Sequence, residues 1–257
     1  MQATGKFACI IQSKLGRHQP VKGLAMHQYV MSDSIKARLL RRQGRLISHD
    51  RIEAARTALV VIDIQNHFVA EGFPAEVPAS REIVPTINRL ARAVRIAGGQ
   101  VVWVQTTATG ALEHWANHHK YMLTPERAAK RLASLDESAD GFSLFSALEP
   151  LPSDVRVKKI KYSAFIAGSS DIDAQLKCRG VDTVLIAGTA TNVCCESSAR
   201  DAMMLDYRVI MLSDANATWT DEEHAATLDN FVLFFGDVMT AGEAIGRLVP
   251  AKAVKSA

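Results

Sequence analysis

Charge of one sign never dominates this chain: 30 Lys and Arg stand against 27 Asp and Glu, a formal net charge of +3 over 257 residues. So even a balance offers no cationic track for a phosphate backbone, and aromatics at 6% leave few platforms for stacked bases. No nucleic-acid partner is expected. Long apolar runs are missing as well; none approaches the roughly 18–20 residues that span a bilayer as a helix, so no membrane partner is expected either. Cysteine is scarce: Cys9, Cys178, Cys194 and Cys195 have no repeated spacing. That excludes a disulfide framework and fits a reduced, cytoplasmic setting. The glycines near 188 do not form G-x-G-x-x-G, which disfavours a dinucleotide-binding role. What is present is 48% hydrophobic residues, enough for one sizeable core.

Residues 1–50 differ from the remainder. Up to Leu46 they carry Lys6, Lys14, Arg17, Lys22, Lys36, Arg38, Arg41, Arg42 and Arg45 against one acid, Asp33. The segment lacks the apolar stretch of a secretory signal. It reads as a basic extension, partly disordered or packed on the domain surface, or as sequence upstream of a start near Met26 or Met31. A mitochondrial transit peptide is a weaker match to the same charge bias. Ordered packing is expected only from about Arg38, and the domain proper spans 51–257.

From Thr57 strands alternate with helices. TALVVIDI (57–64) is a continuous β-branched run, as expected of a strand buried on both faces. A helix should follow in which Ile83, Ile87, Leu90, Val94 and Ala97 share a face, stopped by Gly98-Gly99. Further strands are predicted at 100–106, 154–161, 183–188, 208–214 and 237–239. Helices are predicted at 172–179, 192–206 and 221–234, with one more at the end. This order implies a mainly parallel six-stranded sheet in a three-layer α/β/α fold, Rossmann-like in its winding. The connection 107–153 is too long for a plain loop and should fold as helices of its own, beginning one at Thr124-Pro125.

In an open parallel sheet, ligands bind beyond the carboxyl ends of the strands. The first strand ends in Asp63; the third offers Lys158, Lys159 and Lys161; the fourth runs into GTATNVCC, where strand must turn into helix. A carboxylate, an ammonium and a thiol would then meet at one edge. The ammonium and the helix start would favour a thiolate, and the carboxylate would move the thiol proton. That combination suits covalent hydrolysis of an amide-like or ester-like bond. From the residues alone, either cysteine is a candidate nucleophile, Asp63 could simply cap a turn, and Lys159 and Lys161 share a strand face.

VVIDIQNHF, KKIKYSAF and GTATNVCCESSARDA, in that order, resemble the blocks of the isochorismatase-like cysteine hydrolases from about Ala55 to Leu248. The overall likeness is nearest to the ureidoacrylate and N-carbamoyl amidohydrolase branch. The resemblance implies that fold, and a catalytic triad of Asp63, Lys159 and Cys194. It also implies a cis peptide at Thr189–Ala190 and an oxyanion hole from the backbone N–H groups of Ala190 and Cys194. Cys195 becomes a packing neighbour, since consecutive helical residues point about 100° apart. The implied activity is metal-independent hydrolysis of a small amide, ureido or N-carbamoyl compound, without cofactor, by a homodimer or homotetramer. Alternatives are vinyl-ether hydrolysis of the isochorismate type, whose enzymes usually carry glycine at the cysteine position, and a catalytically idle binding or scaffold subunit.

Asn66, Phe68, Thr106, Trp115, His118 and Tyr162 are candidate substrate contacts. Ureidoacrylate hydrolases tend to have asparagine after the second strand's glutamine; Gln105-Thr106 departs from that pattern. His114 and His118 stand four apart, as zinc ligands on one helix would, but the metal cluster of nicotinamidase relatives is missing, and no metal is expected. The segment around them reads as a lid or subunit contact. Glu196 and Arg200 are expected to pair, and His67, His224 and Lys158 to lie at the surface.

Overall fold

The computed structural model describes residues 27–250; the expectations for Lys6 to Lys22, the transit peptide and Cys9 fall outside the described residues. Within them, ordered packing begins well before Arg38. Helix α1 (Asp33–Gln43) starts on Ser32, whose hydroxyl accepts the Ile35 N–H at 3.4 Å, and stops at Gly44 in the left-handed region. Its spacing puts Ile35 and Leu39 on one buried stripe. Arg42 follows on the same side, its guanidinium over the Phe234 ring at 5.2 Å from the centroid.

The six-stranded sheet is entirely parallel, in the order β4-β3-β2-β5-β6-β7. Its strands are β2 (Thr57–Ile62), β3 (Gln100–Thr106), β4 (Val155–Lys159), β5 (Thr183–Thr189), β6 (Arg208–Ala217) and β7 (Asp237–Met239). A short parallel pair, β1 (Ile52–Glu53) with β8 (Leu248–Val249), was not expected; it ties the two ends of the domain together. The first strand is shorter than predicted because Asp63 takes φ 57, a left-handed value that Asp tolerates better than most residues. The third stops at Lys159 rather than 161, and β6 runs three residues beyond 214.

Strand alternation assigns the two layers. Ala58, Val60 and Ile62 face a core with Leu176, Ala199, Phe231 and α1's Leu39; Leu59 and Val61 face Ile87, Leu90 and Ala244 on the other side. The helices over the first face are α7 (Ile172–Cys178), α8 (Glu196–Met204) and α9 (Asp221–Phe234), joined by α1. Over the second lie α3 (Val84–Ala97) and α10 (Ala241–Arg247). Helix α3 carries the predicted apolar face and ends at Gly98 with φ 90. Between β3 and β4 the long connection folds as α4 (Ala111–His114), α5 (Ala116–Tyr121) and α6 (Pro125–Ser134), the last capped by the Thr124 hydroxyl as its Thr-Pro pair predicts. A four-residue helix α2 (Asn66–Val69) follows the first strand's end.

The winding reverses between β2 and β5, so the crevice of an open sheet opens beyond their carboxyl ends. There Ile62 pairs with both Val104 and Gly188, and Thr106 pairs with Lys159. The backbones of β2 and β5 approach so closely that a Cβ on Gly188 would lie 2.1 Å from the Ile62 carbonyl oxygen, at φ +132. Gly188→Ala should therefore cost about 3 kcal/mol or more, combining backbone strain with overpacking. A thermal melt should show a midpoint lowered by roughly 6–12 °C; an unchanged midpoint would contradict this close approach.

Candidate active site

Three strand ends deliver the polar groups. Asp63 follows β2, Lys159 ends β4, and Cys194 sits in a π-helical turn, Thr191–Cys195, between β5 and α8. The predicted helix over 192–206 is thus split into this wider turn and α8. The peptide Thr189–Ala190 that enters the turn is cis. Cys195 is wholly buried in the core beneath α8, while the Cys194 sulfur lies 3.5 Å from Lys159 Nζ.

Asp63 and Lys159 are both sealed from solvent, with Oδ2 and Nζ 2.9 Å apart. An ammonium has three protons to give. Here they go to Thr106 Oγ1 (2.7 Å), the Lys161 carbonyl (3.1 Å) and Cys194 Sγ (3.5 Å). Asp63 Oδ2 is consequently a charge contact without an aligned hydrogen bond, and it keeps a lone pair to spare. Asp63 Oδ1 instead accepts the Thr106 hydroxyl at 2.8 Å. Thr106 therefore bridges acid and amine, receiving from one and donating to the other. Gln65 fixes it in turn: its Nε2 donates to the Thr106 carbonyl at 3.0 Å and its Oε1 accepts the Thr106 N–H at 2.7 Å.

These contacts set the charge states. Burial works against the Lys159 ammonium, but the Asp63 carboxylate outweighs it and the pKa is raised. Burial and then the Asp63 charge push the Cys194 thiol up to about 12, against the pull of Lys159. The resting group is accordingly a neutral thiol beside an ion pair, not the thiolate that a helix start and an ammonium alone would favour. Cys195 is raised as well, chiefly by burial.

Lys161 belongs elsewhere: its Nζ donates to Ala167 O at 3.3 Å, beyond the end of β4. Lys158 is exposed and pairs with Glu137. Tyr162 Oη is 2.8 Å from His118 Nε2, and Trp115 stacks on His118 with ring centroids 3.8 Å apart. Burial, and after it the charge of Cys194, raise the Tyr162 phenol. Phe68 is buried beside the guanidinium of Arg131, 5.8 Å from ring centre to Cζ. Asn66 is turned to the Asp140–Phe142 turn of the β3–β4 connection, donating to Asp140 O and Oδ1.

The histidines correct several expectations. His114 and His118 do not share a helix: Trp115, at φ −146 and ψ 35, breaks the chain between α4 and α5. Among the described residues no three His, Cys, Asp or Glu side chains gather as metal ligands, and no helix is long and apolar enough to cross a membrane. His67 and His224, expected at the surface, are buried. His224 receives the Thr191 hydroxyl at Nδ1 and donates from Nε2 to Ser213 O, bracing the π-turn from behind. His67 lies 2.8 Å from Ser134 Oγ, and burial together with Arg131 lowers its pKa to about 3. Glu196 and Arg200 form the expected i,i+4 pair at 2.6 Å. Gln65 and Arg131 were not singled out from sequence; Gln65's place two residues after Asp63 was the available signal, and Arg131 had none.

Because Asp63 raises the thiol's pKa, Asp63→Asn should lower it. Peptide-resolved iodoacetamide labelling at pH 8 should then modify Cys194 faster in the variant, by about tenfold per unit of pKa. In the unaltered protein, labelling of Cys194 should still be climbing at pH 10. Slower labelling of the Asn variant would contradict the electrostatics described.

The Isochorismatase domain description matches residues 57–243, a span that contains all three strand-end groups. The chain is 33% identical over 202 residues to the ureidoacrylate amidohydrolase RutB of Stutzerimonas stutzeri (strain A1501), covering 72% of this chain and 79% of the relative. It is 33% identical over 221 residues to the RutB of Methylobacterium radiotolerans, covering 79% and 83%. Among solved structures, a cysteine hydrolase from Pseudomonas syringae pv. phaseolicola 1448A superposes with a TM-score of 0.69 at 30% identity, over 76% of this chain and 93% of that one. An N-carbamoylsarcosine amidase from Thermoplasma acidophilum gives 0.58 at 25% identity, over 72% and 96%. With a parallel sheet in this strand order and matches of this extent, the chain belongs to the isochorismatase family of hydrolases.

Proposed function

We propose that the protein is a cysteine amidohydrolase that cleaves a C–N bond of a small amide, ureido or N-carbamoyl compound. The observation that carries this reading is the placement of Cys194 Sγ against the Lys159 ammonium, with the ion-paired Asp63 Oδ2 beside it accepting no hydrogen bond. Asp63 Oδ2 takes the thiol proton as Sγ bonds to the substrate's carbonyl carbon, so a free thiolate need not accumulate. The backbone N–H groups of Ala190 and Cys194 would hold the oxyanion. The C–N bond then breaks, Asp63 returns the proton to the leaving nitrogen, and ammonia or an amine departs. Water attacks the acyl-thioester with Asp63 as base, the C–S bond breaks, and the thiol is restored. The Lys159 ammonium, in contact with both Asp63 and the sulfur, offsets the negative charge as it moves between them.

The relatives' names favour ureido and N-carbamoyl compounds over other amides. Thr106 occupies the place where asparagine is usual in ureidoacrylate hydrolases, and its hydroxyl is committed to the Asp63–Lys159 bridge. The pocket floor therefore presents no amide there, and a related but different ureido compound fits better. A vinyl-ether hydrolase would have no use for the buried thiol, and a scaffold subunit none for the buried ion pair. Trp115, His118 and Tyr162 form the roof over the substrate, and the protein is expected to act in the cytoplasm as a homodimer or homotetramer.

Ammonia release from a panel of amides and N-carbamoyl acids tests the assignment. Cys194→Ala should lose roughly a thousandfold or more in kcat/KM, whereas Cys195→Ala should stay within about tenfold, as expected of a core truncation. Loss confined to Cys195→Ala would overturn the nucleophile.

A further inference from the structure

We infer that Thr106 is a positioning residue: its hydroxyl keeps the transferable proton on Cys194 at rest and leaves Asp63 Oδ2 as the oxygen that receives it. This deepens the amidohydrolase reading and rests on it, although its readout needs no turnover. The protons at the bridge have only one arrangement. The Lys159 ammonium, 2.7 Å from Thr106 Oγ1, has protons to give and no lone pair with which to accept. The hydroxyl's single proton is therefore turned to Asp63 Oδ1, 2.8 Å away. A proton arriving at Oδ1 would meet one already there, whereas Oδ2 accepts no hydrogen bond. Oδ2 and the Cys194 sulfur lie 2.9 and 3.5 Å from the same Lys159 Nζ. The open oxygen is thus the one that shares its ammonium with the sulfur.

The backbone is arranged to hold this hydroxyl in place. β2 leaves the ladder at Asp63, whose N–H reaches Val104 O at 2.9 Å. Beyond that point the Gln65 side chain stands in for a strand, accepting the Thr106 N–H at 2.7 Å and donating to its carbonyl at 3.0 Å. On the other side Thr106 is in register with Lys159, and the Thr107 N–H meets Lys159 O at 2.9 Å. Thr106 is 1% exposed, so bulk solvent does not compete for the hydroxyl. Its branched Cβ also restricts rotation about χ1.

A hydrogen bond given to the charged form of an acid favours that form. By donating to the Asp63 carboxylate, Thr106 opposes movement of the thiol proton before substrate arrives. It acts in the same direction as burial and the Asp63 charge, which push the thiol up to about 12. Without the hydroxyl, Oδ1 would be buried with no donor. The proton would then pass more readily from sulfur to Asp63, leaving a thiolate beside Lys159 in place of a carboxylate.

Thr106→Val removes the hydroxyl at nearly constant volume, Thr106→Ala removes it with a methyl, and Thr106→Ser retains it. The readout is peptide-resolved iodoacetamide labelling of Cys194 at pH 7, with the exposed Cys178 as internal reference. Val and Ala variants should label about tenfold faster than the unaltered protein, the scale of a hydrogen bond to a charged group, and Ser within about twofold of it. Because the hydroxyl acts through Asp63, adding Thr106→Val to Asp63→Asn should change that variant's rate by less than about twofold. Substitutions that merely loosened the packing would speed labelling in both backgrounds. That result, a Ser variant as fast as Val, or no acceleration in Val and Ala would overturn the inference. The expected pattern in a protein that releases ammonia from no amide or N-carbamoyl acid would uphold the role of Thr106 and refute the hydrolase reading.

Discussion

A carboxylate and an ammonium 2.9 Å apart with no access to water place demands on everything around them. Either charge alone would cost several kcal/mol at this depth, and their attraction offsets that cost only when every remaining donor is matched. The matching is supplied by Thr106, the Lys161 carbonyl and the Cys194 sulfur. Each of these comes from a different strand end or turn, so the sheet register and the charge pairing are one constraint. A slip of one residue in β4 would point Lys159 to the opposite face and leave Asp63 uncompensated. Gly188 permits the arrangement by letting β5 run against the carbonyl of Ile62.

The same pair governs the sulfur. Proximity to an ammonium usually implies a low thiol pKa, but here the ammonium is already neutralised and the nearby carboxylate repels a second negative charge. Deep burial is the larger cause of the raised thiol, and that repulsion adds to it. The outcome is a thiol held in its protonated form at rest. In the proposed reaction it would lose its proton only as it attacks, and one residue, Asp63, would couple that step to protonation of the leaving group.

Farther out, the structure divides support from selection. His27 stacks on His224 at 4.7 Å, and His224 holds Thr191 of the π-turn, so the segment before α1 buttresses the nucleophile from behind. Asn216 bridges the bulge of β6 by donating to Ile186 O and Leu212 O, which keeps β5 aligned where the turn begins. On the open side, the small helices between β3 and β4 bring Trp115 and His118 against Tyr162. Those helices differ from the rest of the domain in having few buried residues.

Much was legible along the chain because period and chemistry coincide. The β-branched runs at 57–62 and 183–189 announced buried parallel strands, the Ile83-to-Ala97 stripe announced a helix, and reactive side chains just past strand ends pointed to the crevice. What stayed hidden depended on groups distant in sequence. The burial of His67 and His224 arises from Ser134, Thr191 and Ser213 closing around them, which no local pattern encodes. The break at Trp115 separates two histidines whose spacing alone would have put them on one helix. Sequence by itself determined the sheet and its edge, since local periodicity suffices for those, while the choice of Asp63, Lys159 and Cys194 among the polar groups there came from the resemblance of three blocks to a known family. Only tertiary structure decided the thiol's charge state and the bridging role of Thr106, because each is a sum of distances between atoms that the chain order leaves far apart.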